Sequence, residues 1–559
     1  MIRANGLSVL TPYLKISVSE PIPRPQNLGK IPPPSLHQNR PMPLHLTVFQ
    51  ILKDYKFTIA PLAFLMLLQG AVYAKVVLPP VLSSHMVLQR GMKVPVWGTA
   101  APGEKVTVKF RDQEKSTTAD AQGKWTVSLD SLKEGGPDVL TVAGSNTLKL
   151  EDVLVGEVWL GSGQSNMFGP ASEYVKKDEV LAKMVAAGPY PKIRLNRLDT
   201  SASAGWKEAT PENLKAFSAL LFSYGYPLQK ELNVPVGLLV GAVPGESSGK
   251  FLSQEAFNSD PACQVLVKSD KTGATGTTWS GVIGQRYETI IRPCIPYAIR
   301  GVLWDQGESS TGVKGIDQYT LMGGLIKGWR KDWGQDFPFI YVQKPSGGGC
   351  AWDDTDPVTS KGMPLKPLPN SVPGGKESGE GRDNHLRIRN YPNTFMSTSS
   401  DLSPTTNPTS EQLANGIKYN EAGMHPENKS GFGARATRVA LGGVYGKNVA
   451  IYGPVYKSHK IKGNKVIITF DHVGKGLVFK KGASIDRLKG FAITGDAKTF
   501  NYNKPVFVWA DAVIEGNTII VSSDKVLNPV AVRYAWAAEH PWANLFNKDG
   551  LPALPFSTY

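Results

Sequence analysis

The sequence has little cysteine and little charge for its length. Three cysteines, Cys263, Cys294 and Cys350, occur among 559 residues. They match no metal-ligand spacing and allow at most one internal disulfide. Disulfides are therefore not expected to hold the fold together. Charged residues make up 19% of the chain and hydrophobic residues 41%, which is typical of a globular protein with a sizeable core.

Basic runs are also missing from most of the chain. Lys and Arg total 62 against 47 Asp and Glu, but the residues after position 74 contain no basic run and no arginine-rich helix. Nucleic-acid binding is therefore unsupported. The length predicts two to four folding units. Oligomeric state cannot be inferred from these features.

A long apolar run is found near the N-terminus. Lys53 and Lys56 precede FTIAPLAFLMLLQGAVYA, an uncharged stretch of 18 residues that ends in small residues before Lys75. A basic segment, a short apolar core and small residues at the end are the order of a secretory signal peptide. The stretch also contains proline, glutamine and glycine, which favours cleavage after Ala74 over a transmembrane anchor. We therefore expect a leader over residues 1–74, a secreted or periplasmic protein, and no stable membrane insertion after cleavage.

The remaining chain changes its hydrophobic pattern twice. Short β-type runs alternate with turn clusters over residues 75–155, which predicts a small all-β domain. Over residues 156–445, apolar strands alternate with helix-like segments, which predicts a parallel sheet with helices on both faces. Gly, Pro, Ser and Asn are frequent over residues 346–420, which predicts a long loop region. Residues 446–559 return to alternating strands and predict a second β domain.

Unusual residues follow three apolar strands of the α/β region. GSGQSNM follows EVWL, GAVPGESSG follows VPVGLLV, and DQGESST follows RGVLW, while GMHPENK precedes the last predicted helix. Functional loops of an α/β sheet lie beyond the carboxyl ends of its strands. A Ser and a His at this edge are the minimum for acyl transfer, in which the imidazole takes the hydroxyl proton as the oxygen attacks a carbonyl. Such chemistry requires no metal and no organic cofactor, and we expect neither.

Two serines compete for the role of nucleophile. Residues 245–249, GESSG, fit the G-x-S-x-G nucleophile elbow around Ser247. Ser165 lacks that pattern because Met167 occupies the position of the second glycine. However, G-x-S-x-G arises often by chance in a chain rich in Gly and Ser, so the match at Ser247 is weak.

The segments GEVWLGSGQSNM, GVLWDQGESS and HPENKSGFGARATRVAL resemble, in order, the conserved blocks of the sialate O-acetylesterase family within the SGNH-hydrolase superfamily. The similarity extends over residues 75–559. It implies an SGNH-hydrolase-like, three-layer α/β/α domain with a parallel sheet, flanked by N- and C-terminal all-β domains. It also implies a serine esterase that removes O-acetyl groups from carbohydrates. O-acetylated sialic acids are the first expected substrates, and acetylated xylan or another polysaccharide is the alternative.

The resemblance assigns the catalytic roles residue by residue. Ser165 matches the nucleophile, and His425 matches the general base. The N–H group of Ser165, the backbone of Gly245 and the side-chain amide of Gln306 match the oxyanion-hole positions.

Neighbouring polar residues complete the predicted site. Gln164, Asn166 and Glu308 are candidate substrate-binding residues. Glu308 also fits a hydrogen-bonding brace, since buried polar groups need partners. His385, in the predicted loop region, is a further candidate for approaching the substrate.

The chain departs from the family pattern before the histidine. The family carries an Asp two or three residues before it, but Ala422 and Gly423 occupy these positions. Glu421 and Asp401 are the candidate acids that orient His425, with Glu421 ranked slightly higher, and a backbone carbonyl is a third possibility. The missing acid also supports a second hypothesis, a catalytically weak glycan-binding protein on the same scaffold.

Overall fold

The computed structural model describes residues 75–198, 205–269, 277–278, 281–373, 376–404, 424–495 and 506–559. The predicted leader and Glu421 lie outside these residues. Within the described part, no helix is long and apolar enough to cross a membrane. Cys263, Cys294 and Cys350 are all free and buried.

Seven strands begin the described chain: β1 (Val87–Gln89), β2 (Val94–Thr99), β3 (Lys105–Phe110), β4 (Gln113–Thr118), β5 (Lys124–Leu129), β6 (Gly135–Ala143) and β7 (Thr147–Gly163). Their side chains alternate between core and surface. In β3, Val106, Val108 and Phe110 are buried, while Thr107 and Lys109 between them are more exposed. This period of two is that of a strand with one buried face.

The next eight strands are β8 (Tyr190–Arg197), β9 (Lys207–Ala209), β10 (Val236–Ala242), β11 (Thr277–Thr278), β12 (Gly281–Val282), β13 (Gly301–Asp305), β14 (Phe339–Val342) and β15 (Thr394–Ser397). The central sheet has the order β15-β14-β13-β7-β10-β8-β9 and is parallel except at β9. Strand β7 is 17 residues long. Its first half pairs antiparallel with β6, and its second half pairs in parallel with β10 and β13. The domain limit predicted at 155–156 therefore falls inside one continuous strand.

Ten α-helices accompany the sheets: α1 (Ser165–Phe168), α2 (Ala171–Tyr174), α3 (Glu179–Ala186), α4 (Pro211–Ala216), α5 (Ala219–Leu232), α6 (Gln254–Ser259), α7 (Pro261–Ser269), α8 (Gln318–Trp333), α9 (Lys376–Ile388) and α10 (Lys429–Gly443), all within the described ranges. They cover both faces of the central sheet. On one face, Trp159 and Leu303 pack with α5 and α10. On the other, Leu160 and Trp304 pack with α8. Because neighbouring strand residues point to opposite faces, these two cores establish the predicted three-layer arrangement.

The prediction of a long loop over residues 346–420 is wrong in part, because helix α9 and strand β15 lie there. The α9 sequence KESGEGRDNHLRI has two glycines and little apolar patterning, so its intrinsic helix propensity is low. Buried Arg382 anchors the helix by donating hydrogen bonds to the carbonyl oxygens of Pro345 and Gly347 and of residues 537–538. Tertiary contacts therefore stabilise this helix more than propensity does.

The C-terminal region contains ten strands: β16 (Val455–Lys462), β17 (Lys465–Asp471), β18 (Leu477–Phe479), β19 (Phe491–Gly495), β20 (Val508–Trp509), β21 (Asp511–Glu515), β22 (Thr518–Ser522), β23 (Pro529–Tyr534), β24 (Leu545–Asn547) and β25 (Phe556–Ser557). Two four-stranded antiparallel sheets, β16-β17-β22-β21 and β20-β19-β23-β25, form most of it. They enclose a separate core that includes Phe491, Tyr534 and Phe556. The predicted fold class, an α/β domain flanked by all-β regions, is thus confirmed.

Candidate active site

Three loops that carry the predicted motifs begin at the same edge of the central sheet. In the strand register, Gly163 at the end of β7 lies opposite both Ala242 of β10 and Asp305 of β13. The chain turns sharply after β7 because Gly163 adopts a φ of +130°, and a Cβ there would lie 2.1 Å from the Asp305 carbonyl oxygen. Only glycine fits this turn without strain. The turn delivers the next two residues to the start of α1.

Ser165 and His425, 260 positions apart in sequence, meet at this edge. The Oγ of Ser165 lies 2.9 Å from Nε2 of His425. At this distance the hydroxyl donates a hydrogen bond whenever Nε2 carries no proton. Ser165 is the first residue of α1, and His425 lies four residues before α10. The structure therefore brings together the two residues that the sequence assigned to nucleophile and base.

The competing serine has no such partner. The Oγ of Ser247 is buried and, within the described part of the chain, has no hydrogen-bond partner. It directly precedes the short 3-10 turn Ser248–Phe251. Without a base in contact, a serine hydroxyl is a weak nucleophile.

Glu308 is the centre of a hydrogen-bonded brace under the nucleophile. Its two carboxylate oxygens accept hydrogen bonds from the side-chain amides of Gln164, at 2.7 Å, and Asn166, at 2.9 Å. Lys344 donates a third, at 2.5 Å. Gln164 and Asn166 flank Ser165 in the chain, so the brace fixes both neighbours of the nucleophile. Glu308 is thus the brace that the sequence suggested. A direct role of Gln164, Asn166 and Glu308 in substrate binding stays a prediction.

Asn166 also links the nucleophile to the histidine loop. Its Nδ2 donates to the carbonyl oxygen of Met424, at 3.1 Å, and its Oδ1 accepts from the buried ammonium of Lys429, at 2.6 Å. Because an ammonium only donates and a carbonyl only accepts, these contacts define the orientation of the amide. Met424 directly precedes His425, so Asn166 positions the base.

Buried charges lie beneath this network. Lys344 lies 2.6 Å from Asp305 and 2.5 Å from Glu308, and all three side chains are almost fully buried. Burial acts to lower the pKa of Lys344, but the two carboxylates outweigh this effect and raise it. Burial raises the pKa of Asp305. The ammonium therefore stays charged and holds the carboxylates together.

Sequence reasoning missed three residues of this network: Asp305, Lys344 and Lys429. Asp305 and Lys344 come at or just after the ends of the apolar strands β13 and β14, and Lys429 begins α10. Asp305 and Lys344 could have been found in the sequence, because each is a charged residue at or just after the end of a buried strand of an α/β sheet.

Of the predicted oxyanion donors, the structure shows hydrogen-bond partners for the Gln306 side chain. Gln306 is buried, and its Nε2 donates to the carbonyl oxygens of Ser310, at 2.8 Å, and Glu246, at 3.4 Å. Both N–H groups are thus engaged within the loops. Gly245 follows β10 with a φ of +73°. The oxyanion roles of Gln306, Gly245 and the Ser165 amide stay predictions.

Asp401 does not orient His425 in this structure, which corrects one of the two sequence candidates. Asp401 is fully buried, and its carboxylate oxygens lie 3.0 and 2.8 Å from the guanidinium nitrogens of Arg435. Among the described residues, no hydrogen bond joins Asp401 to His425. The carboxylate is instead the partner of an arginine on α10. Glu421 lies outside the described residues, so its role stays a prediction.

One group of possible metal ligands occurs in the described part, away from these loops. Side-chain atoms of His85, Asp152 and Glu208 lie within 4.8 Å of one another. However, Arg194 forms an ion pair with Asp152 at 2.8 Å, and His85 contacts the same carboxylate at 2.7 Å. These contacts already satisfy Asp152, so the cluster is a surface ion-pair network.

Comparisons with known proteins agree with the geometry. Residues 155–365 match the family model described as carbohydrate esterase, sialic acid-specific acetylesterase. The sialate O-acetylesterases of Homo sapiens and Pongo abelii are each 26% identical over 531 residues, covering 86% of this chain and 91% of theirs. The chain is therefore similar to sialate O-acetylesterases, and it contains a carbohydrate esterase domain. This esterase is also similar in structure to a carbohydrate acetylesterase from Xanthomonas citri, with a TM-score of 0.68 and 28% identity over 87% of this chain and 99% of the other. Its carbohydrate esterase domain makes it a carboxylic ester hydrolase.

Proposed function

We propose that this esterase removes acetyl groups from O-acetylated carbohydrates by serine-based acyl transfer. The observation that supports the proposal most is the distance of 2.9 Å between Ser165 Oγ and His425 Nε2. In the first step His425 takes the Ser165 proton as Oγ attacks the acetyl carbonyl carbon, and it then gives the proton to the departing sugar oxygen. In the second step His425 takes a proton from water, which attacks the acetyl-enzyme. Acetate leaves, and the proton returns to Ser165.

O-acetylated sialic acid is the first substrate that we propose, because the curated relatives are named for it. Acetylated polysaccharide is the second, because the similar structure from Xanthomonas citri is described as a carbohydrate acetylesterase. Acetate release from O-acetylated sialic acid, acetylated xylan and para-nitrophenyl acetate tests both. We expect release from the small ester and from at least one carbohydrate. Binding of these carbohydrates without any acetate release would instead support the glycan-binding hypothesis.

We also propose that the protein is exported after cleavage behind Ala74. The exported chain is then expected to begin at Lys75 when its N-terminus is sequenced. A mature chain that retains the apolar stretch before Lys75 would contradict this.

The activity of this esterase at acidic pH is expected to depend on Lys429. Burial lowers the pKa of His425, and the Lys429 ammonium lowers it further, with Lys344 acting in the same direction and Glu308 and Glu173 opposing. Since the base must be neutral, kcat/KM rises as pH rises through the His425 pKa. Lys429→Met removes a positive charge, so the His425 pKa rises and the acid limb of the pH profile moves to higher pH.

The profile for para-nitrophenyl acetate between about pH 5 and about pH 8 measures this shift. Burial also lowers the pKa of Lys429, to about 7, so its own charge is present at the acid end of this range. Lys429→Arg retains the charge and is expected to leave the limb near its original position. An acid limb that stays in place in Lys429→Met would show that the coupling is absent, and one that moves to lower pH would show that its sign is wrong.

A further inference from the structure

A cavity of about 280 Å³ adjoins the brace beneath the nucleophile. Its wall includes Glu308, whose carboxylate holds Gln164 and Asn166 in place, and Lys344, whose ammonium donates to Glu308. Neither Ser165 nor His425 lines it, so the ester bond is not broken there. The volume lies near the lower end of ligand pockets, roughly 300 Å³, and suits a ligand the size of one sugar ring.

The cavity wall offers hydrogen-bonding groups that suit sugar hydroxyls. Asn384 on α9 lines it, and nothing in the described ranges forms a hydrogen bond with its side-chain amide. One carboxylate oxygen of Asp317 accepts from the Thr320 amide, which leaves the other for a ligand. Ser310 adds a hydroxyl. An amide, a carboxylate and a hydroxyl together can both donate to and accept from the hydroxyl groups of a sugar.

The charges of the wall favour an uncharged ligand. Lys344 is the one lysine among the described residues that line the cavity, and it already pairs with Asp305 and Glu308 at 2.6 and 2.5 Å. His385 is buried in the wall, and burial, with Lys344 and Arg382, lowers its pKa to about 3, so its ring is neutral near pH 7. An anionic ligand would meet Glu308 and Asp317 without a free cation among the lining residues, and unpaired like charges are unfavourable.

We propose that this cavity is a subsite for an uncharged sugar residue that is glycosidically linked to the acetylated sugar at Ser165. The proposal rests on the proposed function and extends it from the acetyl ester to the neighbouring residue of a glycan. Contacts in the subsite add binding energy for a linked substrate that a free monosaccharide ester lacks. The esterase therefore has a lower KM for an acetyl ester within an oligosaccharide than for the same ester on a free sugar.

Gly381 gives a direct way to fill the cavity. It lies in α9 and lines the wall, and a Cβ at this position would meet no atom within 4 Å. A larger side chain therefore enters the cavity without displacing the fold, and replacing a glycine inside a helix favours the helix. Glu380, the preceding residue, is exposed and does not line the cavity. Glu380→Phe is thus a matched control for adding an aromatic ring to the same helix.

The experiment compares linked and free esters of the same sugar: O-acetylated sialyllactose with O-acetylated sialic acid, and acetylated xylotetraose with acetylated xylose. In the wild type we expect the linked member of at least one pair to have the lower KM. The measured quantity is the ratio of the KM for the linked ester to the KM for para-nitrophenyl acetate. Gly381→Phe is expected to raise this ratio about tenfold, which is the size of one lost set of polar contacts. Asn384→Ala is expected to raise the same ratio of KM values a few-fold. Glu380→Phe is expected to leave both constants as in the wild type.

Several results would overturn the subsite. Equal KM values for linked and free esters in the wild type are one, and an unchanged ratio in both Gly381→Phe and Asn384→Ala is another. An enzyme that hydrolyses para-nitrophenyl acetate but neither linked ester would also overturn it. In contrast, a wild type that hydrolyses none of these esters contradicts the proposed function itself, so the two failures are distinguishable.

Discussion

Ser165→Ala is expected to lower kcat for para-nitrophenyl acetate by about 10⁴-fold or more, the loss seen when the nucleophile of a serine hydrolase is removed. The hydroxyl oxygen is the atom that attacks, and its proton goes to Nε2 of His425, 2.9 Å away. Alanine fits the first position of a helix, and the brace around Glu308 does not involve the Ser165 side chain. Circular dichroism and the thermal unfolding midpoint are therefore expected to stay close to those of the wild type.

Ser247→Ala is the matched control for this loss. Its hydroxyl has no described partner, so its removal breaks no hydrogen bond, and we expect kcat to stay within about twofold of the wild type. The reverse result, with activity lost in Ser247→Ala and retained in Ser165→Ala, would falsify the assignment of the nucleophile.

Asp401→Asn is expected to lower the free energy of unfolding by about 3 kcal/mol or more, because it leaves the Arg435 guanidinium buried without a counter-charge. Asp401 is 0% exposed and Arg435 4% exposed, so solvent does not screen the pair. Urea denaturation measures the change. At a temperature where the variant is folded, its kcat is expected to stay within a few-fold of the wild type, since Asp401 does not contact His425.

An exposed ion pair provides the comparison for this variant. Lys457 and Asp471 lie 2.8 Å apart with side chains 56% and 50% exposed, and Asp471→Asn is expected to change the unfolding free energy by less than about 1 kcal/mol. A folded Asp401→Asn enzyme with kcat reduced by orders of magnitude would mean that Asp401 acts on the histidine after all.

The sequence predicts the sheet well because its strands carry a strong local signal. Buried on both faces, β10 and β13 appear as continuous apolar runs, which is the pattern of parallel strands. Ser165 and His425 could be identified from the motifs around them. Helix α9 could not, because Arg382 stabilises it through carbonyl groups distant in sequence, and no local pattern records such contacts.

The partners within the positioning network were only partly predictable from the sequence. Glu308 was expected as a hydrogen-bonding brace and, with Asn166, near the substrate, but the sequence did not show that the two side chains bond to one another or that Lys344 donates to Glu308. Whether a polar side chain faces a ligand or a neighbour depends on which loops meet, and the sequence alone does not specify that. Lys429 illustrates the point, because its contact with Asn166 spans 263 positions.

The continuity of β7 has a consequence for how this architecture can be inherited. One backbone ladder begins in the first β-rich region, opposite β6, and ends at Gly163, where the nucleophile turn starts. A recombination event between residues 155 and 156 would cut this ladder and leave the turn at the end of a shortened strand. The N-terminal strands are therefore not an independent domain that recombination can exchange, and we expect them to be inherited together with the catalytic sheet.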